Sequence, residues 1–158
     1  MKLIKGWRQV VIAVIAVIML GSLVFMVGAN DKNSNGPTGF VDIMRLSTEF
    51  KPIVDVQKLI DDETQKMQNK FDAEIKNIKD DTVKQNLFIK YQDDLNKRIN
   101  ELKLDEKLQT AQQQLLNSIR KVAEEQGLNL VLDSSVVYYG NPAHDITDAV
   151  LQAGAKIK

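Results

Sequence analysis

The chain has 158 residues, with 21 Lys and Arg against 21 Asp and Glu, one His and no Cys. That length suits one ordinary domain. The balanced charge argues against a nucleic-acid module, which carries a strong basic surplus. The missing Cys excludes disulfides and a cysteine nucleophile.

Residues 1–9 carry Lys2, Lys5 and Arg8 and no acid, and residues 10–27, "VVIAVIAVIMLGSLVFMV", carry no charge. Val27 and Ala29 then fit a small-residue cleavage site. Residues 1–29 thus read as a secretory signal peptide. Eighteen apolar residues also approach the length of a membrane span, so an uncleaved anchor is the alternative. The basic flank stays inside in both cases, and the rest is exported. No Cys follows the apolar stretch, so no lipid is attached there. Without residues 1–29 the chain keeps 18 basic and 21 acidic side chains, a net charge of −3.

Residues 30–38, "NDKNSNGPT", form a flexible linker. "GFVDIM" at 39–44 predicts a short strand after a glycine. Residues 53–126 then contain neither Gly nor Pro. They are rich in good helix formers. Leu46, Ile53, Ile60 and Met67 recur at sevens, and Phe50, Gln57, Thr64, Phe71 and Ile78 form a second, half-polar row. Such a narrow seam suits a long helix lying against one or two neighbours. Phe88, Leu95 and Leu102 continue at sevens, as do Leu108, Leu115 and Val122, but the step from 102 to 108 is six. Asp80, Asp81 and Thr82 are consecutive N-cap residues inside the run. A turn there makes a helical hairpin; the alternative is one rod of roughly 110 Å at 1.5 Å per residue.

Gly127 is a natural helix terminator. After it the period becomes two, with Leu128, Leu130 and Leu132 on one face of a strand. Val136, Val137, Tyr138 and Tyr139 predict a further strand before Gly140. Three short strands and thin helices enclose little apolar surface in one chain, and the strands leave bare edges. The sequence therefore argues for an oligomer.

"YYGNPAHDITDAVL", 138–151, holds the only histidine, His144, beside Asp145. An acid–base pair is one reading. It lacks a nucleophile: Ser134 and Ser135 have no glycine-flanked elbow, and a lone His makes a poor metal site. The structural reading is a turn at "GNP", with His144 at the surface and Asp145 and Asp148 as a capping box for a last helix.

"GFVDIMRL", a long charged helical run, and "VAEEQGLNLVLDSSVVYYGNPAHDITDAVL" together resemble the Skp/OmpH family of periplasmic chaperones. The resemblance covers residues 39–151 and is closest at its two ends. It rests on Val41, Asp42 and Arg45 in the first block. In the second it rests on Val122, Ala123, Gly127, Leu130, Val131, Leu132, Asp133, Val137, Tyr139, Asp145, Ile146, Thr147 and Val150. It implies an α+β fold, mostly α: a long coiled-coil hairpin plus short strands that build a small β-barrel body in a homotrimer. The domain would be 39–158, with the body at 39–46 and 127–158. The hairpin would run over about 47–126, with its tip near 79–83. Tyr139 would pack at the barrel, and Asp145 would cap the last helix.

The resemblance also implies an ATP-independent holdase that keeps unfolded outer-membrane or envelope proteins in a cavity between the arms. No enzyme activity, cofactor, metal or nucleic-acid partner is expected. Leu59, Ile75, Leu87, Ile89 and Leu104, off the heptad seam, are candidate client contacts; the alternative is that they pack between the arms. "QTAQQQLLNS", 109–118, reads as a solvated polar segment. The chain departs from the best-known family members, which are strongly basic. Residues 45–126 here hold 15 basic and 16 acidic side chains, so charge attraction to clients is expected to be weak. The alternative function is a coiled-coil scaffold of the cell envelope, tethered by residues 10–27.

Overall fold

A computed structural model describes residues 36–157. The expected signal or anchor segment and most of the linker lie outside the described residues. In order come β1 (Thr38–Val41), α1 (Ile43–Glu49), α2 (Lys51–Ile75), α3 (Asp81–Glu101), α4 (Leu104–Glu125), β2 (Leu130–Asp133) and α5 (Thr147–Ala155). Two 3-10 turns, Ser134–Val136 and Pro142–His144, lie between β2 and α5. The described chain is mostly helical with one short strand pair, the expected α+β class.

α2 runs outward, and α3 and α4 return along it. The turn occupies residues 76–80. Asp80 is the N-cap of α3, its carboxylate accepting from the N–H groups of Thr82 (2.8 Å) and Val83 (3.1 Å). Asp81 and Thr82 are therefore already in the helix, and the reversal falls about three residues before the expected 79–83. The first oxygen able to reach two free N–H groups takes the cap.

The seam is fuller than the heptad rows suggested. α4 buries Leu104, Leu108, Ala111, Leu115, Ser118 and Val122, an unbroken alternation of fours and threes. The segment 109–118 is thus amphipathic, and only its outer face is solvated. Phe71 of α2 sits edge-on to Phe88 (6.1 Å) and Tyr91 (5.8 Å) of α3. Thr64 Oγ1 is buried without a hydrogen bond among the described residues.

The six-residue step from Leu102 to Leu108 coincides with a break in the helix. The helix stops at Glu101 and restarts at Leu104, with Lys103 in the left-handed region at φ 51°, ψ 44°. Both α3 and α4 can then turn their seams towards α2. Leu104, a candidate client contact with packing between the arms as its alternative, is the first buried residue of α4 at 1% exposure. It is core, and it leaves the set of candidate contacts.

At the other end, α4 closes with a Schellman motif. Leu128 N–H donates to Ala123 O (2.9 Å) and Gly127 N–H to Glu124 O (3.1 Å), with Gly127 at φ +67°, the left-handed position glycine fills without strain. The chain then enters β2, which pairs in parallel with β1, Thr38 opposite Leu130 and Val41 opposite Asp133. The strand expected at 136–139 does not form. Asp133 accepts from Ser135 N–H (2.9 Å), curling the chain into a 3-10 turn. The described sheet has two strands.

The body core is Val41, Leu46, Phe50, Ile146 and Val150, each at most 3% exposed. α5 lies across α1, α2 and α4. Gly154 of α5 lets this happen: a Cβ there would come within 2.3 Å of Phe50 Cε2.

Candidate functional site

The residues that carried the family resemblance come together from both ends of the chain. Asp42 caps α1, accepting from Arg45 N–H (2.9 Å). Its own N–H donates to Thr147 Oγ1 (2.9 Å), 105 residues away. Thr147 Oγ1 in turn donates to Asp145 Oδ1 (2.6 Å), which also accepts from Thr147 N–H (2.9 Å). Arg45 Nη1 donates to Asp148 Oδ1 (2.8 Å), and these partners hold the Arg45 pKa above its usual value, Glu49 contributing first and Asp148 next. Ile146 N–H donates to Phe40 O (3.0 Å), continuing the sheet edge. This clasp holds the last helix on the first strand.

The clasp answers the question raised by His144. Asp145 serves Thr147, and Asp148 serves Arg45. Asp148 does not close a capping box, because Asp145 N–H already donates to Pro142 O (3.1 Å). Ile146 is the N-cap of α5, and Asp145 supports the helix start through Thr147. His144 ends a 3-10 turn and is half-buried. No group of three or more His, Cys, Asp or Glu that could hold a metal ion occurs among the described residues.

The remaining matched residues divide sharply. Val41, Ile146, Thr147 and Val150 are buried. Val131, Asp133 and Val137 are half-buried. Leu130 and Leu132 do share a face of β2, but it is the open one: they are 46% and 36% exposed. Val136, Tyr138 and Tyr139 follow directly and are exposed, Tyr139 at 97% among the described residues. Among the described residues nothing packs over this face of the two-stranded sheet, so the described body bears an exposed apolar surface.

On the arms, Leu59 and Ile89 are exposed, at 42% and 49%, while Ile75 and Leu87 are half-buried. An open groove of about 680 Å³ lies between α2 and α3, with Met67, Ala73 and Tyr91 among its lining and Lys70, Glu74, Asp94 and Lys97 beside them. Tyr91 Oη donates to Glu74 Oε1 (2.6 Å). That bond first, then burial, pushes the phenol up to about 12.

Next to the groove the arms share an ion pair that the heptad rows hid. Arg98 Nε donates to Glu63 Oε2 (3.1 Å) and Arg98 Nη1 to Glu101 Oε2 (3.1 Å), while Lys66 Nζ donates to Glu63 Oε1 (2.6 Å). Extending the row Phe88, Leu95, Leu102 by its intervening places, 91 and 98, would have found Tyr91 and Arg98 as seam residues.

The family described as Outer membrane protein (OmpH-like) matches residues 37–153. The chain is 40% identical over 37 residues to the Chaperone protein Skp of Vibrio cholerae serotype O1 (strain ATCC 39315 / El Tor Inaba N16961), a stretch covering 23% of this chain and 22% of that protein. The match thus spans about a fifth of that relative's length. A solved structure of an OmpH-like outer membrane chaperone from Caulobacter crescentus CB15 is 21% identical, with a TM-score of 0.35, covering 86% of this chain and 93% of that one.

Proposed function

The chain belongs to the OmpH-like outer membrane protein family, and from that premise we propose that it is a nucleotide-independent holdase for unfolded outer-membrane or envelope proteins. Three copies join through their bodies, and their hairpins enclose the client in the periplasm. The observation that carries the reading is the bare face of β2. Leu130 and Leu132, followed by Val136, Tyr138 and Tyr139, expose on a two-stranded sheet what a one-chain domain would bury. A shared sheet between copies would cover it, extend segment 136–139 as strand, and bring three arms side by side. Many weak contacts from those arms would raise the total affinity by effective concentration while each exchanged quickly. Leu59 and Ile89 supply such contacts, with Ile75 and Leu87 as partial ones. No helix among the described residues is long and apolar enough to cross a membrane.

The test dilutes a urea-unfolded outer-membrane β-barrel protein into buffer with the purified protein and no nucleotide, and follows light scattering. Suppression near three chains per client is the expected result. Leu132→Asp should convert the trimer to monomer by light-scattering mass and abolish suppression. A folded trimer in which the client aggregates as fast as alone would overturn the chaperone reading and leave the envelope scaffold in its place.

A further inference from the structure

Resting on the holdase reading, we infer that the arms accept unfolded chains of either net charge, through single scattered apolar side chains and not through a charged field. The charges first. Residues 45–126 carry 15 basic and 16 acidic groups. The structure adds how they are arranged: Arg45, Lys51, Lys66, Lys84, Lys97, Arg98, Lys103 and Lys121 each pair with a carboxylate three or four residues away in sequence. Eight of the 15 cations are therefore one half of a local dipole. The field of such pairs falls off within a few ångströms, far inside the screening length of about 10 Å at 0.1 M salt. A net-neutral surface of this kind offers neither an acidic nor a basic segment a long-range attraction.

The apolar residues complete the picture. Val54, Leu59, Val83 and Ile89 are the large exposed apolar residues of α2 and α3, at 38% to 49% exposure. Helix-surface neighbours lie three and four residues away. Those of Leu59 are Asp55, Asp62, Glu63 and the buried Val56; those of Ile89 are Gln85, Asn86, Gln92 and Asp93. On the helix surface Leu59 and Ile89 thus each stand among polar neighbours. The contact of Glu63 with Arg98 places Ile89 roughly 20 Å along the arm from Leu59, at 1.5 Å per residue. The partner that fits is an extended polypeptide with dispersed apolar residues. It engages them one at a time, and its own charges are met by whichever half of the nearest dipole suits.

The experiment uses the purified protein and two unfolded β-rich clients matched in length and apolar content, one acidic and one basic. Capture is titrated by client tryptophan fluorescence from about 20 to about 500 mM NaCl, which shortens the screening length several-fold. The expected apparent affinities agree within about threefold between clients and across salt. The combined Leu59→Ser and Ile89→Ser variant should bind both clients severalfold more weakly, with unchanged helicity by circular dichroism. Capture that collapses in salt, a marked preference for one client charge, or full affinity in the double variant would overturn the inference while leaving the holdase reading intact. No capture of either client at any salt would sink both.

Discussion

Glu63 and Arg98 meet across the hairpin, on the packed seam rather than the outer face. Glu63's side chain is 11% exposed and Arg98's 43%, with Nε and Oε2 3.1 Å apart. Dehydration of the ions offsets part of their attraction, so the net contribution of such a pair to stability is modest. The hydrogen bond from Lys66, and next that from Arg98, lower the Glu63 pKa.

A carboxyl held lower in the folded state than in the unfolded chain stabilises the fold above the unfolded pKa. That contribution drains away as pH falls through the lower, folded value. Full stability is therefore expected at neutral pH, with thermal melting temperature declining below the unfolded carboxylate value of about 4.3. Glu63→Gln should lower the melting temperature by a few degrees at pH 7 and flatten the acid limb. An unchanged acid limb would show that other carboxyls control it.

Tyr91 works at the opposite end of the scale. Its phenol stays protonated up to about 12 because Glu74 accepts its hydrogen bond, whereas an unfolded tyrosine ionises near 10. The bond's contribution is whole below about pH 10 and is lost as pH rises towards the folded value. Tyr91→Phe keeps the ring packing on Phe71 and removes only this bond. Chemical denaturation should show a loss of roughly 0.5–1.5 kcal/mol at pH 8. The wild type and the variant should converge as pH approaches 12.

Lys103 carries a left-handed backbone with a side chain attached. That conformation costs a non-glycine residue roughly 1–2 kcal/mol, part of which a glycine returns through its greater freedom in the unfolded chain. Lys103→Gly should therefore raise the urea midpoint slightly, and Lys103→Val should lower it, because a β-branched residue fits this region worst. If Lys103→Val is neutral, the break between α3 and α4 is not fixed by this residue.

Gly154 lies at a close approach of α5 to Phe50. A methyl there meets the Phe50 ring at 2.3 Å, and Phe50 is fully buried. Overpacking of this kind costs roughly 1–3 kcal/mol, so Gly154→Ala should loosen α5 from the body. Hydrogen exchange should report it first at the amides of Thr147 to Ala155. Equal protection in wild type and variant would mean that Phe50 can turn aside at little cost.

Much of this was legible in the chain because it depends on neighbours in sequence. The helical run follows from composition and spacing, and the Asp80 cap from a short oxygen beside free N–H groups. The end at Gly127 follows from a glycine where the chain must turn left-handed. The clasp was partly visible too, since Asp42, Arg45, Asp145 and Thr147 drew notice as matched residues. That they bond to one another across 105 positions did not follow from either block alone.

Tertiary structure decided the rest, wherever the outcome depended on what lies opposite. Leu104 and Ile89 look alike in sequence; one is sealed and the other exposed, because the break at Lys103 rotates Leu104 towards α2. Leu130 and Leu132 alternate as a core strand should, yet the chain's packed side of the sheet is the other one. Residues 136–139 have strand composition but no strand partner among the described residues, and the Asp133 cap curls the chain instead. A sequence determines which backbone states its segments favour. Which face is buried is set by the partner surface, and for β2 no such surface lies among the described residues.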